Sequence, residues 1–282
     1  MTKVIRVEDF SFRYRDADRT TLKRVSFSVE QGSFFCIVGA NGSGKSTLCN
    51  ALVGLIPHYF VGKSKGSVRI KDRDVATSTI ADLSRHVGLV FQNPFNQLSY
   101  TAGTVAEELA FGLGNHGVSR ETMHAKVARV AALMHIEDLL DKNPLELSGG
   151  QVQRVALGST LIMEPDILVL DECTAQLDPL GSEEIFDIVK RLNQEGITVV
   201  MVDHDMERVA RCADQVMVLG AGRVRALGTS DEVFTDPEIM KWGIDIPDYV
   251  KLGRGLQDAG FDLSGLPVRE DQAVRMIREA LR

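Results

Sequence analysis

Apolar positions along the chain change their spacing twice. Phe34 to Val38, Ile167 to Leu170 and Ile197 to Val202 are short continuous apolar runs. Such runs predict parallel strands buried on both faces. Val25, Phe27 and Val29 alternate with Ser26 and Ser28, the period of a half-buried antiparallel strand. Val4 to Phe10 reads as its neighbour, with a polar, basic connection from Arg13 to Arg24, and Val87 to Phe91 is a further strand. From about Asn93 to Leu161 strand signals vanish, and helical spacing appears over Thr104 to Gly112, Ser119 to Met134 and after Ser148. Ser119 is placed to cap its helix, with Glu121 in the first turn to favour the helix dipole. Alternation then resumes: strand 167–170, helix about 180–193, strand 197–202, helix about 205–211, strand 214–219. Gly220-Ala221-Gly222 turns into a short strand, Arg223 to Ala226. The pattern is an α/β domain with a largely parallel sheet, an antiparallel β edge and an inserted helical block.

Composition narrows the class. Of 282 residues, 44% are hydrophobic and 25% charged, which excludes wholesale disorder. Asp plus Glu outnumber Lys plus Arg by 39 to 32, so a nucleic-acid-coating role is not expected. No run approaches the roughly 18–20 apolar residues of a membrane helix, and the first residues lack a signal-peptide apolar region. The expectation is a chain that stays in the cytosol and takes any membrane span from a partner. Cys36, Cys49, Cys173 and Cys212 are scattered, so neither a disulfide framework nor a zinc site is expected.

Three segments carry chemistry. Gly39-Ala40-Asn41-Gly42-Ser43-Gly44-Lys45-Ser46 fits G-x-x-x-x-G-K-[ST] between a buried strand and a helix. Its glycines let backbone N–H groups approach phosphate oxygens, and the following helix aims its positive end at the same anion. Lys45 supplies charge to the β- and γ-phosphates, and the Ser46 hydroxyl suits Mg²⁺. Ile167 to Leu170 ends in Asp171-Glu172, which delivers two carboxylates to the carboxyl edge of a parallel sheet. Asp171 is suited to hold Mg²⁺ through water, and Glu172 to act as general base on the attacking water. Leu147-Ser148-Gly149-Gly150-Gln151 stands at a helix start, a second anion-ready N-terminus.

With these segments in this order, the sequence resembles the ATP-binding cassette (ABC) ATPases over about residues 3 to 235. The resemblance implies a P-loop NTPase (RecA-like) core over 1–235, with the helical subdomain inserted at about 93–161, and a helical C-terminal extension over 236–282. It implies that Gly39 to Thr47 bind ATP and that Gln92 reaches Mg²⁺ and the attacking water. Ser148, Gly149, Gly150 and Gln151 become the signature that contacts the partner chain's ATP. Asp171 joins Ser46 and Gln92 around Mg²⁺, and Glu172 is the catalytic glutamate. Ala175-Gln176-Leu177-Asp178 is the D-loop, His204 the switch histidine at the γ-phosphate, and Tyr14 the aromatic that stacks on adenine, although it stands in a charged connection. Cys173 departs from the Pro or Ala of many relatives and would sensitise the enzyme to thiol reagents if exposed.

Softer wording points to one branch. Val90 to Leu98, Thr104 to Gly112, Gly117-Val118 and Trp242 to Pro247 resemble the energy-coupling factor (ECF) importers of vitamins and of transition-metal ions. That likeness implies a second ATPase subunit, identical or paralogous, a membrane coupling subunit and a separate substrate-binding membrane subunit. It implies a peripheral position on the cytoplasmic face of the membrane. The alternatives are the ATPase of an ABC exporter or a soluble ABC ATPase of DNA repair, chromosome structure or translation. Phe95 and Leu98 either border the groove for the membrane subunit or cap the helical block's own core. The tail predicts two amphipathic helices, one from Pro247 to near Gly260 carrying Ile246, Tyr249, Val250, Leu252 and Leu256, one after Pro267 carrying Ala273, Val274, Ile277, Ala280 and Leu281. They bury their stripes either on their own ATPase domain or against a second tail across a dimer axis.

Overall fold

The computed structural model describes residues 2–175 and 177–280. Strands β1 (Lys3–Tyr14) and β2 (Leu22–Glu30) pair antiparallel; β3 (Phe34–Val38) opens a second sheet and leads into helix α1 (Lys45–Leu52). After the short α2 (Leu55–His58), β4 (Gly62–Ile70) and β5 (Arg73–Asp74) return to the first sheet. Helix α3 (Ile80–Leu83) and β6 (Val87–Val90) lead back to the second, and a strand-free block follows: α4 (Val105–Asn115), α5 (Arg120–Met134) and α6 (Gly149–Leu161). The remaining elements are β7 (Ile167–Asp171), α7 (Pro179–Gln194), β8 (Thr198–Val202), α8 (Met206–Cys212), β9 (Gln215–Gly220), β10 (Arg223–Gly228), α9 (Ser230–Thr235), α10 (Asp248–Asp258) and α11 (Glu270–Ala280).

The strand orders are β2-β1-β4-β5 in the antiparallel sheet and β10-β9-β3-β8-β7-β6 in the other. Among the described residues only β10 runs antiparallel to its neighbour in the second sheet. The continuous apolar run of β3 explains its central place. Phe34, Cys36 and Val38 enter one core with the helical block, α7 and α8, while Phe35 and Ile37 enter the other with α1 and the antiparallel sheet. Phe27 of β2 stacks on Phe35 at 5.3 Å and joins the two sheets.

Strand β4 has no counterpart in the expected elements. Its first half, Gly62 to Gly66, is polar and largely exposed, and only Val68 and Ile70 are buried. Pairing with β1 across a register shift, not its own pattern, makes it a strand. That pairing also carries β1 through Tyr14, into the stretch read as a connection, with Tyr14 opposite Gly62. Helix starts follow the sequence closely. Ser119 accepts from the N–H of Thr122, and Thr104 caps α4 the same way. Leu98 is buried with the helical block's core, whereas Phe95 is 46% exposed.

The tail packs on its own domain. Ile244, Ile246, Val250 and Val268 belong to the same core as Val38 and Phe234. Arg269 donates to the Ala210 carbonyl, Ser230 Oγ and Asp231 Oδ2, and the Asp248 N–H bonds Glu207. Of the expected apolar stripes, Leu252 and Val274 remain exposed, and Leu281 lies outside the described residues.

Candidate active site

The phosphate loop leaves β3 at Val38. A Cβ at Gly39 would run into the carbonyl of Leu219, and Gly42 and Gly44 adopt φ of +75° and +107°, the region L side chains avoid. Lys45 is 5% exposed, and its Nζ donates to the Gly39 carbonyl at 2.8 Å and to the Ala40 carbonyl at 3.4 Å. The eight-residue α1 starts at Lys45 with no acidic residue in its own first turn.

Parallel pairing of β7 with β8 sets Asp171 opposite Val202 at the sheet's carboxyl edge. Asp171 is 6% exposed, and its Oδ1 has no hydrogen-bond partner among the described residues. Burial pushes its pKa above the ordinary 3.8 and Glu172 adds to the rise, while the Ser46 hydroxyl opposes it. A buried carboxylate oxygen left open beside a serine hydroxyl is a hard oxygen site, and Asp171 with Ser46 fits Mg²⁺.

Glu172 holds φ of +50°, a left-handed conformation uncommon for a non-glycine residue, directly after β7. Three groups converge on its carboxylate: Gln92 Nε2 donates to Oε2 at 2.6 Å, His204 Nε2 lies 2.7 Å from Oε1, and Lys45 Nζ stands 3.5 Å from Oε1. They surround a cleft of about 460 Å³ that Thr21, Asn41 and Thr47 also line. A larger cavity of about 1000 Å³ lies between α8, α10 and α11 and touches none of these residues.

Tyr14 sits at this cleft's flank. Its hydroxyl is 3.1 Å from Thr47 Oγ1, and its ring meets Phe12 and Phe60 edge-on. The signature lies elsewhere. Ser148 Oγ accepts from the Gln151 N–H, and Gln151 Oε1 accepts from the Ser148 N–H, a reciprocal cap that fixes the start of α6. Ser148, Gly149, Gly150 and Gln151 do not line the cleft around Lys45. Asp178 caps α7 through the Gly181 N–H at 2.8 Å, and Leu177 approaches Gly150; Gln176 lies outside the described residues. Cys173 is 1% exposed and burial pushes its thiol up to about 12, so it is not open to thiol reagents as an exposed residue would be.

Two residues with no signature of their own hold the site together. Asp203 accepts from the N–H groups of His204 and Asp205 at 2.7 and 2.9 Å. Arg208, 9% exposed, donates to Asp203 Oδ2 at 3.1 Å and to Thr174 Oγ1 at 3.2 Å. One guanidinium therefore ties the loop after Glu172 to the loop carrying His204. Spacing does not reveal it, because its partners lie 34 residues away in one case and five in the other.

A family model described as ABC transporter matches residues 22–175. The energy-coupling factor transporter ATP-binding protein EcfA1 of Bacillus licheniformis is 43% identical over 266 residues, 93% of this chain and 92% of that protein. EcfA1 of Bacillus subtilis is 39% identical, with 93% and 91% covered. Among solved structures, cbiO1 of Clostridium perfringens, described as part of the ABC transporter complex cbiONQ, superposes with a TM-score of 0.73 at 32% identity, covering 92% of this chain and 98% of that one. A dimeric ATP-binding cassette in a post-hydrolysis state, bound to ADP and phosphate, gives 0.71 at 27% identity over 80% of this chain and 98% of that one.

Proposed function

The chain belongs to the ABC transporter family, and from that premise we propose that it is the ATP-hydrolysing subunit of an energy-coupling factor importer of a vitamin or a transition-metal ion. The observation that carries the catalytic part is the convergence of Gln92, His204 and Lys45 on Glu172 beside the phosphate loop.

The chemistry follows from the site. Backbone N–H groups of Gly39 to Thr47, the start of α1 and Lys45 bind the phosphates of ATP, and Tyr14 bears on the adenine. Bound Mg²⁺, held by Ser46, Asp171 and Gln92, would neutralise charge on the β- and γ-phosphates. Glu172 takes a proton from the attacking water as the new oxygen–phosphorus bond forms and the bond to the β-phosphate oxygen breaks. His204 fixes Glu172 and faces the γ-phosphate, and Gln92 orients the same carboxylate and the water.

Because Ser148 to Gln151 stand apart from this cleft, a second ATPase subunit supplies the signature to each ATP. ATP then favours the closed pair, and hydrolysis releases it. Among the described residues no helix is long and apolar enough to cross a membrane, so transport needs a membrane coupling subunit and a substrate-binding membrane subunit. The exposed Phe95, beside a cleft lined by Tyr59, Phe60, Phe91 and Asn93, marks the face for the coupling subunit, at the cytoplasmic surface. Affinity capture of the tagged chain from its native membranes tests this reading. Recovery of a helical coupling protein and a small substrate-binding membrane protein is expected, and recovery of nucleic acid or of an exporter's membrane domain would overturn it.

A further inference from the structure

The tail does more than cover the core: one stretch of it reaches the phosphate loop. The turn Ile239–Trp242 ends at Gly243, whose φ of +71° swings the backbone toward the nucleotide site. A Cβ built on Gly243 would stand 3.6 Å from the Cβ of Ala40. On the other side of this turn, the Trp242 ring receives the Arg225 guanidinium at 4.3 Å from its centroid. Arg225 in turn donates from Nε to the Gly220 carbonyl at 3.1 Å, at the end of β9.

That hairpin grips the phosphate loop. The Gly222 N–H donates to the Ser43 carbonyl at 3.0 Å, and the Leu219 carbonyl closes the space over Gly39. A chain of contacts therefore runs from Trp242 through Arg225 and the β9–β10 turn to Ser43, and Gly243 approaches Ala40 with room between them for one methyl group. Ile244 and Ile246, immediately beyond, are anchored in the main core, so the turn has a fixed base.

We propose that Trp242, Gly243 and Arg225 are positioning residues of the phosphate loop, through which the C-terminal tail sets the affinity for adenine nucleotide. This rests on the reading that Gly39 to Thr47 bind ATP. The residues touch no reacting atom. They act by holding Ala40 and Ser43 in the conformation that presents backbone N–H groups to phosphate, so their loss falls on binding before it falls on the chemical step.

The chain contains a single tryptophan, which makes its own reporter. In the unaltered full-length chain, tryptophan emission should change on titration with MgADP or MgATP and saturate with the same Kd as binding of a radiolabelled nucleotide. Trp242→Ala should weaken nucleotide binding and raise KM for ATP by about three- to tenfold, with a much smaller change in kcat. Trp242→Phe, which keeps a ring under the guanidinium, should recover most of that loss, and Arg225→Met should reproduce it with the tryptophan in place. Emission that ignores bound nucleotide, together with an unchanged Kd in Arg225→Met, would overturn the proposal even if Trp242→Ala fails to fold. A chain that binds no radiolabelled nucleotide at all would instead overturn the ATPase reading.

Discussion

His204 Nε2 and Glu172 Oε1 stand 2.7 Å apart although 32 residues separate them in sequence. The contact exists because β7 and β8 are neighbours in register, and each ends at the same sheet edge. Glu172 leaves its strand through a left-handed residue and His204 through a loop pinned by Asp203. The geometry of catalysis is thus a property of two strand ends and of the side chains that lock them.

Arg208 is the lock, and its removal is the first test. Arg208→Leu leaves Asp203, itself buried, without its cation. Breaking a buried pair from one side costs about 3–5 kcal/mol. A fall of that size in unfolding free energy, by urea titration, is expected together with slower hydrolysis, because the His204 loop loses its anchor to Thr174. Arg208→Lys should recover part of the stability and less of the rate, since Nη1 serves Asp203 and Thr174 while Nη2 lies 3.4 Å from Asp205 Oδ2, a spread that one ammonium cannot reproduce. Unchanged stability in Arg208→Leu would contradict the clamp.

Asp171 gives a pH-dependent test with a definite sign. Its pKa is raised above 3.8, chiefly by burial. The folded chain therefore holds this proton more tightly than the unfolded one. Its favourable contribution is complete below about 3.8 and is lost as pH rises through the raised native value. Above that value the ionised group is a cost that Mg²⁺ would offset. Asp171→Asn should accordingly stabilise the metal-free chain at pH 7 by about 0.5–2 kcal/mol and abolish Mg²⁺-dependent hydrolysis. A destabilised variant with normal turnover would remove Asp171 from the metal site.

The elements most legible in the sequence are those whose information is contiguous. Phe34 to Val38 followed by Gly39 to Ser46 states a buried strand, a glycine loop and a helix start in one reading, and the structure has all three. Ser148 ahead of two glycines marked the start of α6, and the reciprocal bond from Gln151 that completes its cap emerged with the structure. Strand β4 was not legible, because its polar half is held by β1 and not by burial. Arg208, an ordinary exposed-looking arginine on a short helix, acquires meaning only when Thr174 and Asp203 meet it. The approach of Gly243 to Ala40 was equally hidden, since it joins residues some two hundred positions apart.

The tail is a load on stability whether or not it also joins two chains. Truncation after Asp236 strips Ile244, Ile246, Val250 and Val268 from the core. At about 1.5–3 kcal/mol for each buried aliphatic side chain, the loss is comparable to a domain's whole stability of about 5–15 kcal/mol. Insolubility or a collapse of the thermal midpoint is expected. Val274→Asp, on the exposed face of α11, separates the second role. It should leave the midpoint unchanged and lower the sedimentation coefficient of nucleotide-free protein if tails clasp one another. A soluble truncation with an unchanged midpoint would contradict the packing role.

The most direct measurement is steady-state phosphate release by Glu172→Gln beside equilibrium binding of MgATP. The amide keeps the shape of the side chain and its place between Gln92 and His204, but it cannot take the proton from water. Binding should persist, turnover should fall by about 10²- to 10⁴-fold, and the variant should accumulate as an ATP-bound dimer. Turnover within a small factor of the unaltered chain, with binding intact, would contradict the assignment of Glu172 as the base and with it the mechanism proposed for this site.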